Sequence, residues 1–136
     1  MNMAGYSEKD LNQKLGLKNG MDVLFINPIE DYDKLIDLPS LKLNIKAQDA
    51  KDLDLVHFFT ESFREYFSTL PFLVRQIKPE GVIWVSWPKK TSRLMTDLDE
   101  NKIRDYALTL GLVDIKVCAV DENWSGLKLV IRKENR

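Results

Sequence analysis

Asp22-Val-Leu-Phe-Ile-Asn27, continuing as Pro28-Ile-Glu-Asp-Tyr-Asp33, is the stretch on which the reading of this chain turns. The apolar run between Gly20 and Pro28 is too short for a helix and lacks the polar alternation of a half-exposed strand. It reads as a strand buried on both faces, as in a parallel sheet covered by helices. Its continuation is equally informative. A strand that serves a nucleotide in such a sheet runs into a glycine-rich turn, which lets backbone approach the ligand with no side chain in the way. Here no glycine occurs between Gly20 and Gly81. Pro28 removes an amide donor and restricts Asn27, and Ile29 adds bulk.

Outward from this strand, the chain alternates between helical and extended patterns. Upstream, Ser7 with Glu8 and Asp10 marks a helix start, Leu11 and Leu15 give one apolar stripe, and Gly16 ends it. Downstream, Glu30 to Asp37 predicts a short helix with Tyr32, Leu35 and Ile36 on its apolar side. Leu41, Leu43 and Ile45 alternate with Lys42, Asn44 and Lys46, a half-covered strand near an edge. Asp54 to Thr60 is a second continuous apolar strand. Phe63, Tyr66, Phe67, Leu70, Leu73, Val74 and Ile77 then recur at helical spacing. Pro71 lacks an amide hydrogen, which predicts two short helices meeting at Thr69–Pro71. Pro79-Glu-Gly81 reads as a turn, and Val82 to Trp87 as a third buried strand. Asp99 caps a helix whose face is Ile103, Tyr106, Ala107 and Leu110, and Gly111 ends it. Val113–Val120 and Leu127–Arg132 close the chain as a hairpin around Asp121–Gly126. The expected fold is α/β: a single domain over residues 1–136, with a mostly parallel Rossmann-type sheet, helices on both faces and a C-terminal antiparallel hairpin.

The totals narrow the function. The chain has 136 residues, 44% hydrophobic and 30% charged, with net charge −1. That is globular composition with no general attraction to nucleic acid or anionic membrane. With Cys118 the single cysteine and His57 the single histidine, no intramolecular disulfide can form, a cysteine-based zinc site has no second thiolate, and no metal is expected. No apolar run reaches the ~20 residues that cross a bilayer. The opening Met1-Asn-Met-Ala-Gly-Tyr-Ser-Glu8 is not a signal peptide, so the expected location is the cytoplasm.

Two resemblances follow from quoted motifs. Leu17-Lys-Asn-Gly-Met-Asp-Val-Leu24 resembles the approach to the first strand of class I methyltransferases. Ile77-Lys-Pro-Glu-Gly-Val-Ile-Trp-Val85 resembles the approach to their fifth, and the closing hairpin their last two. No third strand is found between Ile45 and Asp54, so the resemblance implies a sheet one strand short. Gly5-Tyr-Ser7, Trp87-Pro-Lys-Lys90 and the run from Gly111-Leu-Val-Asp114 to Val120-Asp-Glu-Asn-Trp-Ser-Gly-Leu-Lys128 resemble a second family. That family comprises small bacterial proteins classed only as a domain of unknown function. It implies a fold and transfers no activity.

Parallel strands bring their carboxyl ends to one rim, which here joins the 88–98 and 121–126 loops. The candidate ligand residues are Lys89, Lys90, Thr91 and Ser92 from the first loop, with Asp121, Glu122, Trp124 and Ser125 from the second. Ammonium and hydroxyl groups beside a helix start suit a phosphate or carboxylate, and Trp124 offers a stacking face. The plainer reading is a salt-bridge set in which Asp121 and Glu122 pair with the lysines, as surface loop charges commonly do. His57 reads as a packed core histidine, Cys118 as an inert buried thiol, Trp84 as core, and Asp97, Asp99 and Glu100 as capping residues. Asp49 and Asp52 are weak candidates for a ribose contact. The functional expectation is a non-catalytic binding or regulatory protein that holds a small anionic ligand or a protein partner at the rim. No catalytic residue, cofactor or nucleic acid is expected, and no oligomeric state is implied. The alternative is a divergent S-adenosylmethionine-dependent methyltransferase, with Asp121 or Glu122 as base.

Overall fold

Gly16 adopts φ +79° and ends the first helix, α1 (Leu11–Leu15), by a left-handed turn that any residue with a Cβ would resist. The computed structural model describes residues 10–136; the Ser7 helix start and the Gly5-Tyr-Ser7 stretch lie outside them. The elements that follow are β1 (Asp22–Ile26), α2 (Tyr32–Leu35), β2 (Asn44–Ile45), β3 (Leu53–Phe59) and α3 (Phe63–Gln76). The chain continues through β4 (Ile77–Pro88), α4 (Glu100–Thr109), β5 (Leu112–Ala119) and β6 (Trp124–Ile131). They build one six-stranded sheet in the order β2-β1-β3-β4-β6-β5. The first four strands in that order are parallel, and β6 runs antiparallel to both neighbours. Nothing extended lies between β2 and β3, so the sheet is one strand short, as expected.

Each sheet face carries its own core. On one, α3 and α4 place Tyr66, Leu70, Leu73, Ile103 and Ala107 against Val56, Phe58, Ile83 and Leu127. On the other, α1 and α2 place Leu11, Leu15, Tyr32 and Ile36 against Val23, Leu55, Phe59 and Trp84. Trp84 and Trp87 face opposite sides, as their spacing requires. The Trp84 indole N–H donates to Leu15 O at 2.9 Å, satisfying both the buried donor and a carbonyl at the end of α1. The edge strand β2 is shorter than expected: only Asn44 and Ile45 pair, while Leu41 and Leu43 pack on the second core.

Two expectations are corrected. The residues around Pro71 form one helix, α3, and not two. The carbonyl that Pro71 leaves without an amide is Phe67 O, four residues back. The Tyr106 hydroxyl on α4 donates to it at 3.0 Å, so a neighbouring helix supplies the missing donor. Pro71→Ala should therefore stabilise the protein by about 1 kcal/mol, and Tyr106→Phe should cost less in the Pro71→Ala background than in the native chain. Urea denaturation of the four proteins in this cycle measures the coupling; equal costs in both backgrounds would rule out the compensation.

Pro79-Glu-Gly81 is not a turn but a bulge inside β4, which starts at Ile77. Leu53 pairs with Ile77 and Leu55 with Val82, so two steps along β3 match five along β4. The excess carries Lys78 Nζ to 2.8 Å from Asp54 Oδ1, while Asp54 Oδ2 accepts the Asp22 amide at 2.8 Å. Burial raises the Asp54 pKa, but the Lys78 hydrogen bond and the Asp22 amide outweigh it and hold the carboxyl below its ordinary value.

Candidate functional site

In an open α/β sheet a ligand belongs at the carboxyl ends of the two strands whose connections leave in opposite directions. Here these are β1, whose chain turns toward α2 on one face, and β3, whose chain enters α3 on the other. A hydrogen-bonded strap crosses that crevice. Asn27 takes the left-handed conformation, φ +54°, which asparagine tolerates better than most residues. Its side-chain amide donates to Phe59 O at 3.2 Å and to Glu65 Oε2 at 3.4 Å. The Thr60 hydroxyl donates to Glu65 Oε1. Ser62 caps α3 by accepting the Glu65 amide at 3.2 Å, which fixes the backbone from which the strap hangs. A shallow depression of about 410 Å³ remains beside the loop, lined by Pro28, Ile29, Asp31, Tyr32, Asp33 and Lys34, with no residue of β3 in its wall.

Beneath the strap lies a buried polar chain. His57 is fully buried, with Nδ1 2.7 Å from the Tyr32 hydroxyl and Nε2 2.7 Å from Ser86 Oγ. Its ring stacks on Phe59 at 4.0 Å. Burial pushes the imidazole down to about 3 and the Tyr32 phenol up. The spacing is that of a serine–histidine pair, but Ser86 has no exposed surface, so no substrate reaches its oxygen. The group is a neutral polar tie among α2, β3 and β4.

The second candidate lies at the far rim. Trp87 pairs with Ser125 and Pro88 with Trp124, and the Lys89 amide donates to Asn123 O at 2.8 Å, so the two loops meet as expected. Lys89, Lys90 and Ser125 share a depression of about 370 Å³ with Trp87, Asp99, Glu100 and Asn101. The other named residues have local tasks or lie outside it. The Ser92 hydroxyl donates to Lys89 O and closes a turn. Thr91 and Glu122 are exposed. Asp121 Oδ1 accepts the amides of Asn123 and Trp124, both at 2.8 Å, and shapes its own turn. The Trp124 ring is half-buried, edge-on to Phe59 at 5.6 Å, so its stacking surface is largely spent on the core. No ion pair joins Asp121 or Glu122 to either lysine, so the salt-bridge reading of the two loops does not hold. The start of α4 already has its own acids: Asp99 accepts the Lys102 amide at 2.8 Å and Glu100 pairs with Arg104. Asp97 accepts the Phe63 amide at the start of α3 at 2.8 Å, so of the three acids read as caps Asp99 caps α4, Asp97 serves α3, and Glu100 is an ion-pair partner instead. Among the described residues, no group of three or more His, Cys, Asp or Glu could hold a metal, and no helix is long and apolar enough to cross a membrane.

The sequence pattern places Asn27 at the crevice but does not pair it with Glu65, although Ser62-x-x-Glu65 is a readable capping signal. Nothing in their spacing announces that Tyr32 on α2 and Ser86 on β4 meet His57 on β3. Asp99, Glu100 and Asn101 entered the rim only through the packing of α4.

Residues 12–133 match the family described as protein of unknown function, DUF3052. The chain belongs to this family. No curated protein matches it in sequence. Among solved structures, it is similar to a SAM-dependent methyltransferase from Aquifex aeolicus, at 17% identity and TM-score 0.57, covering 88% of this chain and 87% of that one. It is also similar to magnesium protoporphyrin IX methyltransferase from Synechocystis with bound SAH, at 10% identity and TM-score 0.58, covering 89% and 78%. A protein of the NADB-Rossmann superfamily from Streptococcus agalactiae matches at 9% identity and TM-score 0.57, covering 93% and 69%. At such identities the likeness establishes a methyltransferase-like fold and nothing about chemistry.

Proposed function

We propose that this family member is a non-catalytic binding or regulatory domain that does not take S-adenosylmethionine in the usual way. The observation that carries this reading is the Asn27–Glu65–Thr60 strap across the β1/β3 crevice. A cofactor entering there would have to break these hydrogen bonds and pass Pro28. The rim formed by the 88–98 and 121–126 loops is then the working surface. Lys89 and Lys90 form no ion pair among the described residues, and they would draw a small anionic ligand or a protein partner presenting the same charge. The attraction comes from the lysines and not from the start of α4, where Asp99 already accepts the Lys102 amide and Glu100 adds a negative charge.

Calorimetric titration with S-adenosylhomocysteine should give no binding heat at millimolar ligand; micromolar binding would overturn the reading. Pyrophosphate should bind the native chain, and Lys89→Ala with Lys90→Ala should weaken it about tenfold or more at an unchanged melting temperature. Equal binding by the double variant would remove the rim from consideration. The second reading, a divergent methyltransferase, is favoured by the depression beside Pro28–Lys34. It predicts that S-adenosylhomocysteine binds and that substitutions around Asp31 and Lys34 abolish the signal.

A further inference from the structure

The connection from β2 to β3 is the one crossover within the parallel part of the sheet that carries no helix. Such crossovers usually need a dozen or more residues and a helix. Residues 46–52 suffice here because β2 has only two paired residues, level with Asp22 and Val23 at the start of β1. The side-chain amide of Gln76, the last residue of α3, pins this segment by donating to Gln48 O at 2.7 Å and Ala50 O at 2.8 Å. The space beside α3 where a crossover helix would lie stays open as a groove of about 750 Å³.

Its lining is amphipathic in an ordered way. Ile26, Leu73 and Phe72 supply the apolar surface, Phe72 being 61% exposed. Arg75 and Lys51 supply two cations and Asp49 one anion. The Arg75 guanidinium lies 5.1 Å from the centre of the Phe72 ring, and neither it nor Lys51 forms an ion pair among the described residues. Concave, mainly apolar surfaces of ~300–1,000 Å³ with a few convergent polar groups are where small molecules bind. Ser68 and Gln76, both in the lining, are two helical turns apart, about 12 Å, the reach of a medium-length acyl chain.

We propose that this groove binds an amphipathic anion, its carboxylate or phosphate at Arg75 and Lys51 and its apolar body along Ile26, Phe72 and Leu73. The excess of positive charge selects the sign of the headgroup. The pinned segment makes the groove preformed, so little ordering opposes binding. The site is independent of the lysine rim.

The test is calorimetric titration of the full chain with decanoate, with decyltrimethylammonium as the charge-inverted control and butyrate as the truncated one. Decanoate should bind at least about tenfold more tightly than either control. Arg75→Gln should weaken it about tenfold and Phe72→Ser by a similar factor. Both positions are exposed, so melting temperatures should be unchanged. The Lys89→Ala, Lys90→Ala double variant should bind decanoate like the native chain. Equal binding of the cationic control, unchanged affinity in Arg75→Gln, or no decanoate heat at millimolar ligand would each overturn the proposal. So would light scattering that showed a dimer abolished by Phe72→Ser, since a second copy would then be the occupant.

Discussion

Taking the protein from pH 7 to pH 5 should remove about 2 kcal/mol of stability, and His57→Gln should abolish that dependence. His57 titrates at about 6.5 when exposed and near 3 in the fold, because burial disfavours the imidazolium. Between those values the unfolded chain binds a proton that the folded chain refuses. The histidine's contribution is therefore complete above about pH 6.5 and declines by roughly 1.4 kcal/mol per unit as the pH falls toward 3. The window is clean. His57 is the only histidine in the chain, and the carboxyls held low, Asp54 and Asp114, act only below their ordinary value of 3.8. Burial raises the Asp114 pKa, but the stronger Arg104 hydrogen bond pulls it down. Urea midpoints at the two pH values measure the slope. A native slope near zero would mean that the ring is reached by water or paired with an acid. At pH 7, His57→Ala should cost about 3 kcal/mol, since it empties the stack on Phe59 and strands the hydroxyls of Tyr32 and Ser86.

Gly81→Ala should destabilise the protein by about 2–3 kcal/mol, a large effect for one methyl group. A Cβ there would stand 2.9 Å from Leu53 O, 2.9 Å from Ile77 Cβ and 3.0 Å from Lys78 O. Two of those atoms are backbone and cannot swing aside. Relief requires β4 to move off β3 at the bulge, which also loosens Lys78 from Asp54. Because the strain is local, the Asp54–Lys78 coupling in a double-mutant cycle should shrink in the Gly81→Ala background. Gly20→Ala is the control: a Cβ there meets nothing within 4 Å, so its cost comes from φ +89° alone. Equal losses at the two glycines would show that close packing at the bulge does not matter.

The rim shows how far residue spacing carries a site. That the 88–98 and 121–126 loops would meet was readable, because adjacent strands must bring their ends together. Which groups then face one cavity was not. Asp121 turned inward to its own backbone, Trp124 joined the core, and Asp99 with Glu100 arrived from a helix whose approach depends on packing against α3 and β5. Pro71 makes the same point in the backbone. A local rule breaks the helix there, and only a hydroxyl from α4 overrides it.

By itself the sequence determined the fold class, the strands that run through its centre, the missing glycine turn after β1 and the absence of a third strand. Each is a short-range property: apolar runs bury themselves, glycine and proline limit φ, and chain length limits what can be built. The tertiary structure alone decided that Asn27 reaches Glu65 across the crevice and that His57 joins Tyr32 to Ser86. It also decided that the helix-free crossover leaves a groove beside α3. These contacts join residues 25 or more positions apart. Their partners are chosen by register and helix docking, which depend on how all the side chains fill the two cores together.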